Sequence, residues 1–235
     1  MSCPAAPIRA GGVIIAIDGP SGAGKSTLTR LLAERLGYIH IDTGAMFRAV
    51  ALAAKRADIA VDDEEALAGL CRGLTISFLR SERGCRVLLN GEDVSEAIRT
   101  PEISLLTSTV SARKSVRECL LGLQREMGMA GGVVLEGRDI GTVVFPDAEI
   151  KFFLTASTAE RGRRRYLEMR ARGEDVSLEG TTAEAARRDA QDEQREHAPL
   201  RRAADAMDID SSGLTIEEVL TLMEEKIKER QAASR

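Results

Sequence analysis

The sequence predicts an α/β fold: a parallel sheet flanked by helices, interrupted by a small antiparallel β insertion and followed by an arginine-rich helical lid. Three observations carry that expectation. Short β-branched runs alternate with amphipathic helical stretches, the first run ends in the pattern G-x-x-x-x-G-K-S, and a block of hairpin signals then breaks the alternation before it resumes.

Val13, Ile14, Ile15 and Ile17 form the first strand, stopped by Asp18-Gly19-Pro20. Gly19 to Ser26 is a phosphate-binding loop: its glycines let backbone N–H groups converge on an anion, and the helix that follows adds its N-terminal donors. Lys25 supplies an ammonium for β- and γ-phosphates, and the Ser26 hydroxyl is placed to serve Mg²⁺. Leu28, Leu31, Leu32 and Leu36 recur at helical spacing up to Gly37. Tyr38 to Asp42 is a second strand and leads into an Ala-rich helix. An acidic short helix, a strand TISFL, and RVLLNGEDV with Asn90-Gly91 as a hairpin signal define the insertion, residues 62–101.

Helical character runs from Glu102 through Met129, followed by the strand VVLEGRD and the strand Ile150 to Thr155. Ser157 with Glu160, Thr181 with Glu184, and Thr215 with Glu218 have capping-box spacing, each opening a helix. ARGEDVSLEG, before Thr181, reads as a polar turn. Met207 to Asp210 is the last strand. The last helix places Ile216, Val219, Leu220, Met223 and Ile227 on one face.

At 235 residues, 43% hydrophobic and 30% charged, with a net charge of −4, the chain suits one globular domain over residues 13–235, with residues 1–12 as a flexible leader. That N-terminal stretch holds no apolar run long enough for a signal peptide or a membrane span. The four cysteines are scattered and read as reduced thiols of a cytoplasmic protein, and two histidines, His40 and His197, make a zinc site improbable. No Ser/His/Asp or Cys/His arrangement supports nucleophilic hydrolysis, and no N-K-x-D motif supports a switch GTPase. Aromatics at 3% leave no stacking platform for nucleic acid.

In an open parallel sheet, ligands sit beyond the carboxyl ends of the strands. Those positions hold the phosphate loop, then Asp42-Thr43-Gly44 with Phe47 and Arg48, then Glu136 to Asp139, then an arginine-dense helix. Arg161 to Arg172 carries six arginines against Glu168, a local +5. Beside a phosphate loop, such a helix suits a lid that brings cations to the transferring group and excludes water; the lid region expected here is residues 157–198.

GPSGAGKS, DTGAMFR, the hairpin insertion, EGRDIGTVVFPDA, and RRDAQDEQR followed by HAPL, in that order, resemble the bacterial cytidylate kinases, over about nine-tenths of the chain. The resemblance implies transfer of the ATP γ-phosphoryl group to CMP or dCMP with Mg²⁺. It also implies the nucleoside monophosphate kinase fold, with a parallel five-stranded sheet, a lid and an enlarged CMP-binding region. Matched onto this sequence, Gly19, Pro20, Ser21, Gly22, Ala23, Gly24, Lys25, Ser26 and Thr27 would bind ATP, with Arg161, Arg164 and Arg165 on the lid. Thr43 would face CMP, and Arg48, Arg138 and Arg188 would hold its phosphate. Ser108, Arg117 and Asp139 would contact cytosine, and Asp192 with Arg188 the ribose. Lys25, Arg138, Arg161 and Arg165 would act in the transfer itself. The expected partners are these small molecules, with no nucleic acid and no membrane, and the expected state is a monomer.

Physical chemistry agrees with these roles. Cytosine presents an amino donor beside two acceptors, which a carboxylate and a guanidinium can read together; uracil would leave the carboxylate unpaired. The attacking atom is already an anionic phosphate oxygen, so no general base is required. Two positions depart from the usual family pattern: Phe47 stands where tyrosine is common and Glu136 where aspartate is frequent.

Overall fold

The computed structural model describes residues 12–81 and 84–233. Apart from Gly12, the expected N-terminal leader lies outside the described residues.

The main sheet has five strands in the order β2-β6-β1-β7-β8, all parallel. At its centre is β1 (Ile14–Asp18), with Ile15 and Ile17 buried on one face and Ala16 on the other, as parallel strands covered by helices require. The phosphate loop then opens α1 (Lys25–Leu36), which ends at Gly37 with φ 68°, a left-handed cap that glycine adopts at little cost. β2 (Ile39–Asp42) runs into α2 (Thr43–Arg56), where the Asp42 carboxylate caps the helix by accepting from Ala45 N at 2.9 Å. Small alanines let α2 be buried on nearly every side, between the sheet and a second layer of helices.

That second layer begins with α3 (Glu64–Arg72), capped by Asp63, and a small antiparallel sheet of β3 (Ile76–Ser81), β4 (Gly84–Leu89) and β5 (Glu92–Asp93). The turn joining β4 to β5 places Asn90 at φ 51° and Gly91 at φ 85°, the two positive values an Asn-Gly hairpin turn demands. The helical stretch expected from Glu102 through Met129 forms two helices, α4 (Pro101–Val110) and α5 (Lys114–Gly128). Hydroxyls compete for the carbonyls near the break: Thr107 Oγ1 donates to Ile103 O and Ser111 Oγ to Ser108 O. Arg117 Nη1 takes the Ser111 carbonyl at 2.8 Å.

β6 (Val133–Gly137) re-enters the main sheet and is followed by one π-helical turn, Ile140–Val144. β7 (Ile150–Thr155) leads to the hairpin of α6 (Thr158–Ala171) and α7 (Leu178–Gln194). α7 starts earlier than Thr181: Ser177 is its cap, accepting from Gly180 N, while Thr181 lies in the first turn and donates back to Leu178 O and across to Gly162 O. The expected turn before Thr181 is shortened accordingly. β8 (Met207–Asp210) completes the sheet, and α8 (Ile216–Ala233) closes the chain behind a reciprocal Thr215–Glu218 capping box. Ser157 makes only half of its box, because Glu160 turns to Arg163 and Arg164 instead.

Three apolar clusters result. Ile15, Ile17, Leu32, Phe152, Leu220 and Met223 join the sheet to α1 and α8; Ala16, Ile41, Leu135 and Ile140 fill its other face; Met46, Val50, Leu67, Val87 and Leu120 bind α2 to the second layer. No helix among the described residues is long and apolar enough to cross a membrane.

Candidate active site

The carboxyl ends of β1, β2 and β6 deliver their loops to one cleft of about 770 Å³, closed on one side by α4 and α5 and on the other by α6 and α7. Gly19 can only be glycine: at φ 151° a Cβ there would stand 2.0 Å from Leu154 O. Gly22 and Gly24 also have positive φ and turn the loop into α1. Lys25 is buried and its Nζ donates to Gly19 O and Pro20 O, both at 2.7 Å, so the ammonium is held at the mouth of the loop. Burial, and then the neighbouring Arg138 charge, lower its pKa to about 7. An incoming polyphosphate would restore its charge.

Ser26 Oγ donates to Glu136 Oε2 at 2.8 Å, and the other oxygen of Glu136 lies 3.0 Å from His40 Nε2. Beneath the loop, the buried Asp18 carboxylate accepts from Ile140 N at 2.8 Å and Gly141 N at 2.7 Å, tying the end of β1 to the segment that presents Arg138 and Asp139. Burial raises the Asp18 carboxyl to about 6 against those two bonds.

Opposite the phosphate loop, the Arg117 guanidinium and Asp139 carboxylate pair at 2.5 Å, each side chain about nine-tenths buried. Arg117 also lies over the Phe47 ring, 5.1 Å from its centroid, so the phenylalanine retains the face a tyrosine would offer. Arg138 Nε donates to Asp192 Oδ2 at 2.7 Å, and Arg48 Nη2 to Asp42 Oδ2 at 2.9 Å. Burial opposes ionisation of Asp192, but Arg138, Arg195 and Arg188 together keep its carboxyl below the usual range. Burial, and next the Arg138 charge, lower Arg188.

Of the residues expected from sequence, Ser21 to Thr27, Thr43, Arg48, Ser108, Arg117, Arg138, Asp139, Arg164, Arg165, Arg188 and Asp192 line this one cleft. Gly19 and Pro20 stand behind it, their carbonyls taken by Lys25. Arg161 departs from its expected place on the ligand side of the lid: it is 4% exposed and does not line the cleft. Its guanidinium donates to Ala156 O, Ser21 O and Thr158 Oγ1 and pairs with Asp189 at 2.6 Å. Arg164 bonds Ser211 on the loop after β8 while still facing the cleft. Ile216 also departs from its expected stripe: it is 51% exposed and lines the cleft with Leu214 and Val219.

Arg195 also lines the cleft, outside the set expected from sequence. It lies 3.7 Å from Asp139 and 3.4 Å from Asp192, and burial, with Arg117 next, lowers its pKa to about 10. The sequence carries a signal for it: Arg188, Asp192 and Arg195 follow the i, i+4, i+7 spacing of one helical face. Ten arginines and Lys25 line the cleft against six carboxylates, an excess of cations suited to two polyanions.

A model of the cytidylate kinase family matches residues 15–229. The cytidylate kinase of Geobacter sp. (strain M21) is 71% identical over 225 residues, covering 96% of this chain and 97% of that protein. That of Geobacter sulfurreducens is 69% identical over 223 residues, covering 95% and 96%. Among solved structures, an uncharacterized protein from Eubacterium ventriosum superposes with a TM-score of 0.51 at 12% identity, over 92% of this chain and 98% of that one, a likeness of fold alone. With a phosphate loop facing a buried Arg–Asp pair across an arginine-lined cleft, and with this extent of identity, the chain belongs to the cytidylate kinases, ATP-dependent phosphotransferases.

Proposed function

We propose that the cleft seats ATP over the phosphate loop and CMP or dCMP against Arg117 and Asp139, and passes the γ-phosphoryl group between them. The buried Arg117–Asp139 pair across the cleft from Lys25 carries this reading, because it offers an acceptor and a donor at one base edge and is fixed in place by Ser111 O and Phe47. Ser108 adds a hydroxyl to that edge from α4, and Thr43, whose own hydroxyl bonds Glu136 O, shapes the floor. Arg48, Arg138 and Arg188 hold the acceptor phosphate, Asp192 and Arg188 take the ribose, and Arg195 backs both Asp139 and Asp192.

The donor side follows from the same geometry. Backbone N–H groups from Gly19 to Thr27 and the Lys25 ammonium cradle the β- and γ-phosphates. The Ser26 hydroxyl and the Glu136 carboxylate, 2.8 Å apart, are the hard oxygen donors Mg²⁺ takes alongside phosphate and water. Bound there with ATP, Mg²⁺ would neutralise charge on the phosphates. Residues 157–198 act as the lid: Arg164 and Arg165 reach the transferring group, and Arg161 ties α6 to the phosphate loop through Ser21 O. Residues 62–101 brace α2, α4 and α5 on the acceptor side. Rate comes from holding two anions in line and stabilising the spread charge, with no protein base. One chain supplies every group named, which supports a monomer acting on two small molecules.

The test is ADP release from Mg-ATP in a coupled assay with CMP, dCMP, UMP, AMP and shikimate at equal concentration. Fast turnover with CMP and dCMP alone is expected, and Lys25→Ala should abolish it. Equal turnover with UMP or AMP would overturn the base-reading roles.

A further inference from the structure

Glu136 sits at the end of β6, beside β2, with Asp42 as its strand partner and His40 two residues earlier on the same face of β2. The carboxylate is nearly sealed from solvent, with its side chain 5% exposed, and its two oxygens face different partners: Ser26 Oγ at 2.8 Å and His40 Nε2 at 3.0 Å. Three elements, β2, β6 and α1, thus meet in a chain of two hydrogen bonds that ends on the hydroxyl at the mouth of the phosphate loop. The proposed transfer makes no use of His40.

The chemistry of the chain is directional. A serine hydroxyl presents a lone pair to a cation only when its proton points elsewhere, and Glu136 Oε2 is the acceptor that takes the Ser26 proton. A glutamate reaches that point through three rotatable bonds, and its carboxylate rotor is broad. The second oxygen needs an anchor, and His40 is the donor within reach. The ring's other nitrogen, Nδ1, is buried with no partner among the described residues, so a proton on Nδ1 would have nothing to receive it. That favours the form in which Nε2 carries the proton and donates it to Glu136.

We infer that His40 is a positioning residue for the cation of the nucleotide donor: its bond to Glu136 holds the carboxylate so that Ser26 turns its lone pair toward that cation. This rests on the proposed role of Ser26 and Glu136 in holding Mg²⁺. His40 touches neither nucleotide; it acts through Glu136.

Leucine at position 40 keeps the bulk and removes the donor, and glutamine restores an N–H at nearly the same reach. Partners that orient metal ligands typically contribute about 10- to 100-fold in metal affinity. In an electron paramagnetic resonance titration of Mn²⁺ with protein and ATP, and no acceptor present, His40→Leu is expected to weaken Mn²⁺ binding about tenfold. His40→Gln should bring it back to within about threefold of the wild type. At saturating ATP, the free Mg²⁺ giving half-maximal turnover should rise in parallel for His40→Leu, while KM for CMP stays constant. Where leucine is not tolerated, as a thermal melt would show, His40→Asn, too short to reach Glu136, takes its place. In a Glu136→Gln background, replacing His40 should add nothing. Unchanged Mn²⁺ affinity in the donor-less variant overturns the inference, as does a loss that glutamine fails to restore. Because the Mn²⁺ titration contains no acceptor, it answers for His40 even if the acceptor assignment fails.

Discussion

Asparagine in place of Asp139 keeps the shape of the side chain, removes its charge and turns one acceptor oxygen into a donor. In the native chain one oxygen of Asp139 receives Arg117 Nη2 at 2.5 Å and the other faces Arg195 Nη2 at 3.7 Å, in surroundings about nine-tenths buried. A hydrogen bond from the cytosine amino group to a charged acceptor contributes about 1.5–3 kcal/mol, and burial of the pair sets the upper end. About 3 kcal/mol of lost substrate binding at roughly 1.4 kcal/mol per tenfold predicts a loss of about 100-fold in kcat/KM for CMP and dCMP. The effect on UMP has the opposite sense. Uracil turns a carbonyl toward position 139, where a carboxylate repels it and an amide N–H can bond it, so the preference for CMP over UMP should collapse by more than the CMP rate alone. The assay is coupled ADP release across a range of each acceptor, with a thermal melt to show that the variant folds. A variant that keeps CMP turnover within about threefold of the wild type would refute the base-reading argument, and so would an equal loss on CMP and UMP.

Phe47→Leu removes the ring face under Arg117, 5.1 Å away, and should raise KM for CMP about fivefold with kcat nearly unchanged, since such a contact contributes about 1 kcal/mol; acceptor saturation curves decide it. Gly162→Ala would put a Cβ 2.2 Å from Thr182 Oγ1 and 2.7 Å from Thr182 Cα, wedging α6 from α7. Overpacking of this kind costs about 1–3 kcal/mol, so Tm should fall by several degrees and turnover with it, and an unchanged melt would contradict the packing of the lid. The Asp18 carboxyl is raised from 3.8 to about 6, so the folded chain holds its proton more tightly than the unfolded chain does. The stability this supplies is complete below about pH 4 and is lost as pH rises through about 6, about 3 kcal/mol in all. Urea unfolding between pH 4 and 7 should therefore show the wild type losing stability relative to Asp18→Asn across that window, whatever other carboxylates do in both. A pH-independent difference would remove Asp18 as the cause.

Local chemistry was legible in the sequence because it depends on near neighbours. The β-branched run before Gly19 had to be a buried strand, Asn90-Gly91 had to be a tight turn, and Thr215 with Glu218 had to start a helix; each occurs in the structure. Ordered motifs at the strand ends likewise marked most of the cleft, since a parallel sheet delivers those ends to one side. Tertiary structure decided the rest, where a side chain's fate hung on a partner far away in sequence. Nothing local separates Arg161 from Arg164 and Arg165 in an arginine-rich run. Asp189 and the Ser21 carbonyl, reached only when α6 lies against α7 and the phosphate loop, bury the first and leave the others facing the cleft. Ile216 fits the apolar stripe of its helix, yet it stands at the cleft's edge because α8 begins where the loop after β8 opens. Nothing local in the strand Tyr38 to Asp42 assigns His40 a partner, and its bond to Glu136 exists only because β2 pairs with β6, a neighbour that follows it by more than ninety residues. Periodicity and turn chemistry specify which elements form; long-range pairing, through burial and charge, specifies which of their side chains can meet a ligand.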